Sequence, residues 1–212
     1  MKTVPYNAGT LKKAVTILKE GGIIAHPADT CYGLTGDLMN PEAYRKIQDI
    51  KGRDYKKPMS IMISVVQQLQ MHNFVELDEF SSFVVSKLFP GAVTIVLPKG
   101  PAIPEYYFPE LATVGLRVPF HDLTQDMLSA FKGPLITTSA NPSGHKLCRT
   151  HEEVVEAFKD SRYKPDLVFE GKTRHNVAST VISVEKNCVR VLRKGPVTAS
   201  QLRSILGVTV KE

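Results

Sequence analysis

Cysteine is scarce and poorly placed for cross-links: Cys31, Cys148 and Cys188 are the three in 212 residues. An odd number, far apart and without a Cys-x-x-Cys pair, supports neither a disulfide framework nor a zinc ribbon. A reducing compartment, the cytoplasm, is the expected location. Long apolar runs are also missing. None approaches the ~18 residues of a membrane span. The start, Met1-Lys-Thr-Val-Pro-Tyr6, lacks the apolar core of a secretory signal, so no membrane partner is expected. No internal repeat, low-complexity tract or Gly/Ser-rich linker divides the chain. The phosphate-loop spacing Gly-x4-Gly-Lys-Ser/Thr is absent, as is the Gly-x-Ser-x-Gly elbow of serine hydrolases. The six histidines are scattered without metal-ligand spacing, so no metal ligand is assigned on the chain.

What is present is ordinary for a folded protein: 42% hydrophobic and 23% charged residues, with 14 Gly and 14 Pro. That composition excludes disorder over most of the length, a collagen-like repeat and a long coiled coil. The length suffices for a sizeable core. Lys and Arg number 27 against 21 Asp and Glu, a net charge of +6. This modest basic excess favours phosphate-bearing partners, nucleotide or nucleic acid.

Periodicity predicts helices over Gly9–Glu20, Glu42–Ile50, Asp78–Phe89, Asp122–Phe131, Glu152–Lys159 and Thr198–Leu206. In the first, Leu11, Ala14, Val15 and Leu18 form one apolar face, closed by Gly21-Gly22. Thr198 is the expected N-cap of the last. Short apolar runs at Ile23–Ala25, Ser60–Val66, Val93–Leu97, Val114–Val118, Leu135–Thr138 and Leu167–Glu170 read as strands. Val181–Val184 and Val189–Leu192 read as a hairpin about Glu185-Lys186-Asn187. Pro98–Pro109, with four prolines, reads as a loop. Interleaved helices and strands with one hairpin argue for an α/β fold with a mixed sheet. One domain over 1–212, with its core at about 8–206, is the expected organisation.

Three polar clusters fall where strands or helices end, which is where open α/β sheets bind ligands. His26-Pro-Ala-Asp-Thr-Cys-Tyr-Gly33 can offer a hydroxyl and backbone amides to a small polar ligand; it can equally be an ordinary Asx turn. Lys51-Gly-Arg-Asp-Tyr-Lys-Lys-Pro58 places four cations in seven residues. Gly52 lets the backbone bend and Arg53 can fork onto phosphate oxygens. A solvated basic loop, or cations placed favourably at a helix C-terminus, would look the same. Thr137-Thr-Ser-Ala-Asn-Pro-Ser-Gly144 offers four hydroxyls and an amide for phosphate or carboxylate oxygens, or is a Ser/Thr-rich turn. Arg117, at the end of an apolar strand, implies an anion at hand: a ligand or a structural ion pair. Cys31 reads as a small buried filler. His121 and His145 read as surface residues.

In order, the chain carries Pro27-Ala-Asp-Thr-Cys-Tyr-Gly-Leu34, Lys51-Gly-Arg53, Phe89-Pro-Gly-Ala-Val-Thr94, Val114-Gly-Leu-Arg-Val-Pro119, Ser139-Ala-Asn-Pro-Ser-Gly144, Ser179-Thr-Val-Ile182 and Leu192-Arg-Lys-Gly195. Together these segments resemble the YrdC-like family of threonylcarbamoyl-AMP synthases, in its short single-domain form. The resemblance implies a twisted mixed sheet flanked by helices, with a concave, positively charged ligand cleft. It implies condensation of L-threonine, bicarbonate and ATP, with Mg2+ shielding the phosphates, and transfer of the product to a tRNA-modifying partner complex. The set Lys51, Arg53, Ser139 and Asn141 resembles the quartet marking the synthase branch and would be catalytic. Nucleotide contacts would fall on Arg53, Lys57, Thr113, Ser139, Asn141 and Arg193, and threonine contacts on Thr30, Arg117, Thr137 and Ser179. Ala28 stands where the family usually has Thr, Met62 where its longer members tend to have His, and Ala178 where Glu is frequent. The rival reading is an RNA-binding or ribosome-maturation module without nucleotide chemistry. Against it, neither an RNA-recognition aromatic motif nor a helix basic along one side is present; any RNA binding by the enzyme is expected to be weak.

Overall fold

The computed structural model describes residues 1–52, 58–65 and 73–212. Strand β1 (Lys2–Val4) leads to α1 (Ala8–Lys19), whose N-cap Asn7 accepts from the backbone N–H of Thr10 while Thr10 answers it in a capping box. Gly21, at φ +76°, turns the chain out of the helix as expected. There follow β2 (Ile24–His26), β3 (Gly33–Asp37), α2 (Pro41–Lys51), β4 (Ser60–Met62), α3 (Glu79–Leu88), β5 (Val93–Pro98) and β6 (Thr113–Arg117). Next come α4 (Asp122–Phe131), β7 (Leu135–Ser139), α5 (His151–Ala157), β8 (Leu167–Phe169), β9 (Thr180–Glu185), β10 (Cys188–Arg193), α6 (Ala199–Leu206) and β11 (Thr209–Lys211).

All six expected helices and the hairpin are present. β4 ends at Met62, short of the expected Val66, which lies outside the described residues. Strands β1, β3 and β11 are additions to the expected set. The region of β3 reads as loop because Gly33 and Gly36 are poor strand formers. Gly36 is needed for close approach: a Cβ there would lie 2.7 Å from Ile23 Cδ1.

The strands form one sheet in the order β1-β8-β2-β3-β7-β4-β6-β5-β9-β10-β11. Five neighbouring pairs among the described residues are parallel and five antiparallel, so the sheet is mixed. Alternation along the strands then sorts residues by face. One face carries Ala25, Leu34, Ile61, Ile95, Leu116, Ile136, Ile182 and Val189, packed with residues of α2, α3, α5 and α6 in the larger core. On the other face Val4, Ile24, Leu135, Leu167 and Phe169 pack under Ala14 and Leu18 of α1 and Leu123, Met127 and Leu128 of α4. That second face also carries small and polar residues: Gly33, Ser60, Thr94, Thr137, Ser139 and, beyond the start of β9, Ser179. These residues line a cleft.

Candidate active site

The cleft has a volume of about 230 Å3, a little below the ~300–1,000 Å3 typical of small-molecule sites. All three sequence clusters reach it. The first contributes His26, Ala28, Thr30, Cys31, Tyr32 and Gly33, the second Lys51 and Pro58, and the third Thr137, Thr138, Ser139, Asn141, Ser143 and Gly144.

Lys51 is the last residue of α2 and is buried at 4% exposure. Its Nζ donates to the carbonyl oxygens of Ser139 and Asn141 at 2.7 and 2.5 Å, and to Asn141 Oδ1 at 3.1 Å. Ser139 Oγ lies at 3.4 Å. An ammonium has three N–H bonds, so this one is saturated by the turn after β7. The turn is held from its other side too: Ala140 N–H donates to Tyr32 O at 2.8 Å and Ser143 N–H to Lys51 O at 2.8 Å. Asn141 Nδ2 donates to the carbonyls of Pro142 and His145. Lys51, Ser139 and Asn141, expected to be catalytic, are thus brought together. Arg53 and Lys57 lie outside the described residues.

At the other end of the cleft, Arg117 Nη2 donates to Thr30 Oγ1 at 3.0 Å and to Asp29 Oδ1. The Arg117 and Asp29 side chains are both 9% exposed. The anion implied by burial of Arg117 is therefore Asp29. Its second oxygen accepts from the backbone N–H of Phe120 at 3.2 Å. Arg117 Nε–H is buried and has no acceptor among the described residues. It can still take a ligand oxygen.

A third group joins Thr94, Ser179 and Arg193. The Thr94 and Ser179 hydroxyls are 2.8 Å apart. Arg193 grips Ser179 through Nε and Nη2 to its carbonyl at 3.1 and 2.9 Å, and through Nη2 to its hydroxyl at 3.1 Å. Burial pulls Arg193 below the ordinary guanidinium value, so a nearby anion would be welcome. Thr137 is half-buried on the cleft floor. Thr113 is exposed at the far end of β6 from Arg117, on the same face, and is not among the residues lining the cleft.

Burial raises the Cys31 thiol above its ordinary value, which suits a filler and not a nucleophile. His145 is exposed, whereas His121 is half-buried and 3.3 Å from Thr124 Oγ1. Burial there outweighs its acidic neighbours and lowers its pKa. Sequence reasoning missed four participants. Ser60 and Thr94 could have been found as polar interruptions of apolar strands. The pairing of Asp29 with Arg117 left no signal. His26 stood inside the first cluster with no role.

A family model described as telomere recombination, that of the Sua5, YciO and YrdC proteins, matches residues 16–195. The chain belongs to this family. Among similar relatives is a Methanocaldococcus jannaschii protein provisionally named threonylcarbamoyl-AMP synthase, 30% identical over 207 residues, 95% of each chain. The Bacillus subtilis threonylcarbamoyl-AMP synthase is 31% identical over 202 residues, 95% of this chain and 58% of that one. The structure of Pyrococcus abyssi Sua5 complexed with L-threonine superposes with a TM-score of 0.87 at 27% identity, covering 99% of this chain and 61% of that one. Escherichia coli YciO, at 22% identity and a TM-score of 0.81, shares the fold. This family member thus spans nearly all of the M. jannaschii relative and somewhat more than half of the B. subtilis and P. abyssi proteins.

Proposed function

We infer that the protein is a threonylcarbamoyl-AMP synthase, a nucleotidyltransferase that condenses L-threonine, bicarbonate and ATP. The observation that carries this reading is the single ammonium of Lys51 fastening Ser139 and Asn141 at one end of a cleft whose other end holds Arg117 and Thr30. The relatives named above favour it over an RNA-binding or ribosome-maturation module. One domain over 1–212 fits the single sheet running from β1 at one edge to β11 at the other.

The chemistry needs no protein nucleophile. The threonine amine attacks the bicarbonate carbon, water leaves, and a carbamate forms. A carbamate oxygen then attacks the α-phosphorus of ATP, and pyrophosphate departs with the electron pair. What the protein must supply is alignment and cationic stabilisation. We assign the triphosphate to Arg53, Lys57, Arg193 and the Ser139–Asn141 turn, with Thr113 a more distant nucleotide contact. The amino acid is assigned to Thr30, Arg117, Thr137 and Ser179.

The cleft offers cations, hydroxyls and carbonyls. Among the described residues the carboxylate beside the cleft is Asp29, and it is engaged by Arg117. Hard divalent cations prefer free carboxylate oxygens, so the described residues of the cleft do not suit a protein-held Mg2+. We assign the ion no ligand on the protein and route no step through it; it would arrive on the triphosphate. No helix among the described residues is long and apolar enough to cross a membrane. We place the enzyme in the cytoplasm, passing its product to a complex that modifies tRNA, with weak RNA contact of its own. Pyrophosphate release from ATP and bicarbonate with each of the twenty amino acids, without RNA, tests the reading. Release with threonine is expected; no release with any amino acid refutes it.

A further inference from the structure

His26 ends β2 and its side chain is completely buried, yet it lines the cleft. Its Nδ1 lies 3.0 Å from the carbonyl oxygen of Pro27. A carbonyl can only accept, so Nδ1 carries the proton and donates. In a neutral imidazole the other nitrogen, Nε2, is then a bare acceptor. Burial keeps the ring neutral, drawing its pKa down to about 4. Nε2 has no hydrogen-bond partner among the described residues. Leaving a buried acceptor unmade is costly, and such groups are rare enough to ask for an explanation.

Gly33 supplies the space above it. A Cβ at Gly33 would sit 3.5 Å from His26 Nε2 and 3.6 Å from Thr137 Oγ1. Gly33 places no side chain between these two groups and the cleft, so a ligand group packed against its Cα lies beside both. The acceptor therefore calls for a small donor, an O–H or N–H, on whatever fills this end of the cleft. A cation is disfavoured, because the Arg117 charge already bears on the ring. Arg117 brings a complementary donor of its own, the Nε–H without an acceptor among the described residues, which suits a carboxylate.

We propose that His26 Nε2 is the specificity-determining acceptor for the side-chain hydroxyl of the amino-acid substrate, held over Gly33 beside Thr137. This rests on the synthase reading and deepens it: the unpaired acceptor, and not cleft volume, would separate threonine from valine. Valine fills the same space but leaves Nε2 unpaired, an outcome that sites built around a hydroxyl reject strongly.

The test compares kcat/KM for L-threonine and L-valine in the wild type, His26→Phe and His26→Gln, with Tm measured for each. Phe keeps a ring but has no acceptor; the Gln carbonyl restores one. Phe is expected to cut kcat/KM for threonine about tenfold or more while leaving valine nearly unchanged. Gln is expected to recover part of the preference. If Phe retains the threonine preference, or depresses both substrates equally with Gln no better, the proposal is overturned while the synthase reading stands. If Phe does not fold, the Gln variant and the imidazole nitrogen signals of the wild type decide. Threonine, but not valine, should shift the His26 Nε2 resonance, and equal or absent shifts overturn the proposal. No threonine binding or turnover by the wild type overturns both readings together.

Discussion

Replacing Lys51 by Met removes one ammonium and leaves its acceptors behind. Three of the bonds, to Ser139 O, Asn141 O and Asn141 Oδ1, are 2.5–3.1 Å long and lie in a nearly buried setting. Hydrogen bonds to a charged group are worth ~1.5–3 kcal/mol each. The gain is offset in part, because the variant no longer has to desolvate a charge, a cost of several kcal/mol. A net loss of ~2–4 kcal/mol follows. For a chain of this size each kcal/mol moves Tm by ~2–4 °C, so Tm should fall by roughly 5–15 °C. Urea unfolding followed by circular dichroism gives the free energy, and pyrophosphate release gives activity on the same samples. Turnover should collapse with stability, since the Ser139–Asn141 turn loses its anchor. Stability within ~0.5 kcal/mol of wild type, with turnover lost, would refute this reasoning. Lys51 would then meet the phosphates directly instead of clamping the turn.

Lowering the pH tests the buried His26. Its folded pKa, pulled by burial from 6.5 to about 4, means the unfolded chain holds the proton more tightly between those values. Stability is therefore complete above pH ~6.5 and falls as pH drops to ~4, by ~3 kcal/mol in all. His26→Phe lacks this loss, so urea titrations across that range should diverge for the two proteins; parallel curves contradict the burial argument. Asp29→Asn leaves Arg117 unpaired in a buried place and should cost ~3–5 kcal/mol. It should raise KM for threonine more than for ATP, and an equal rise in both would separate Arg117 from the amino-acid end. tRNA affinity should fall steeply with salt, whereas ATP affinity, resting partly on short-range neutral contacts, should fall less. A salt titration of both ligands checks this, and tight tRNA binding at high salt would restore the nucleic-acid reading.

Helix α4 was legible to its ends, Asp122–Phe131, because its apolar spacing and flanking residues agree. The last helix was legible through its cap: Thr198 accepts from Gln201 N–H. The β9–β10 hairpin was legible from β-branched runs flanking a short turn, whose Asn187 takes the left-handed conformation at φ +56°. β1 and β11 were not, since each carries a single apolar residue, Val4 or Val210, among polar ones. Each exists because a neighbour, β8 or β10, offers it a parallel edge.

The same division runs through the site. By itself, the sequence determined that hydroxyls, amides and cations gather where strands and helices end, and the ordered motifs determined the family. Those properties are local, set by neighbours a few positions apart. Tertiary structure decided what each group does. The Lys51 ammonium is used up by a turn 88–90 residues away. The Arg117 guanidinium is half-claimed by Asp29, 88 residues back, and the His26 acceptor, beside a glycine, is left without a partner among the described residues. Such outcomes depend on which groups the folded sheet places within about 3 Å of each other, and on how much water it leaves there. No spacing rule along the chain contains either quantity.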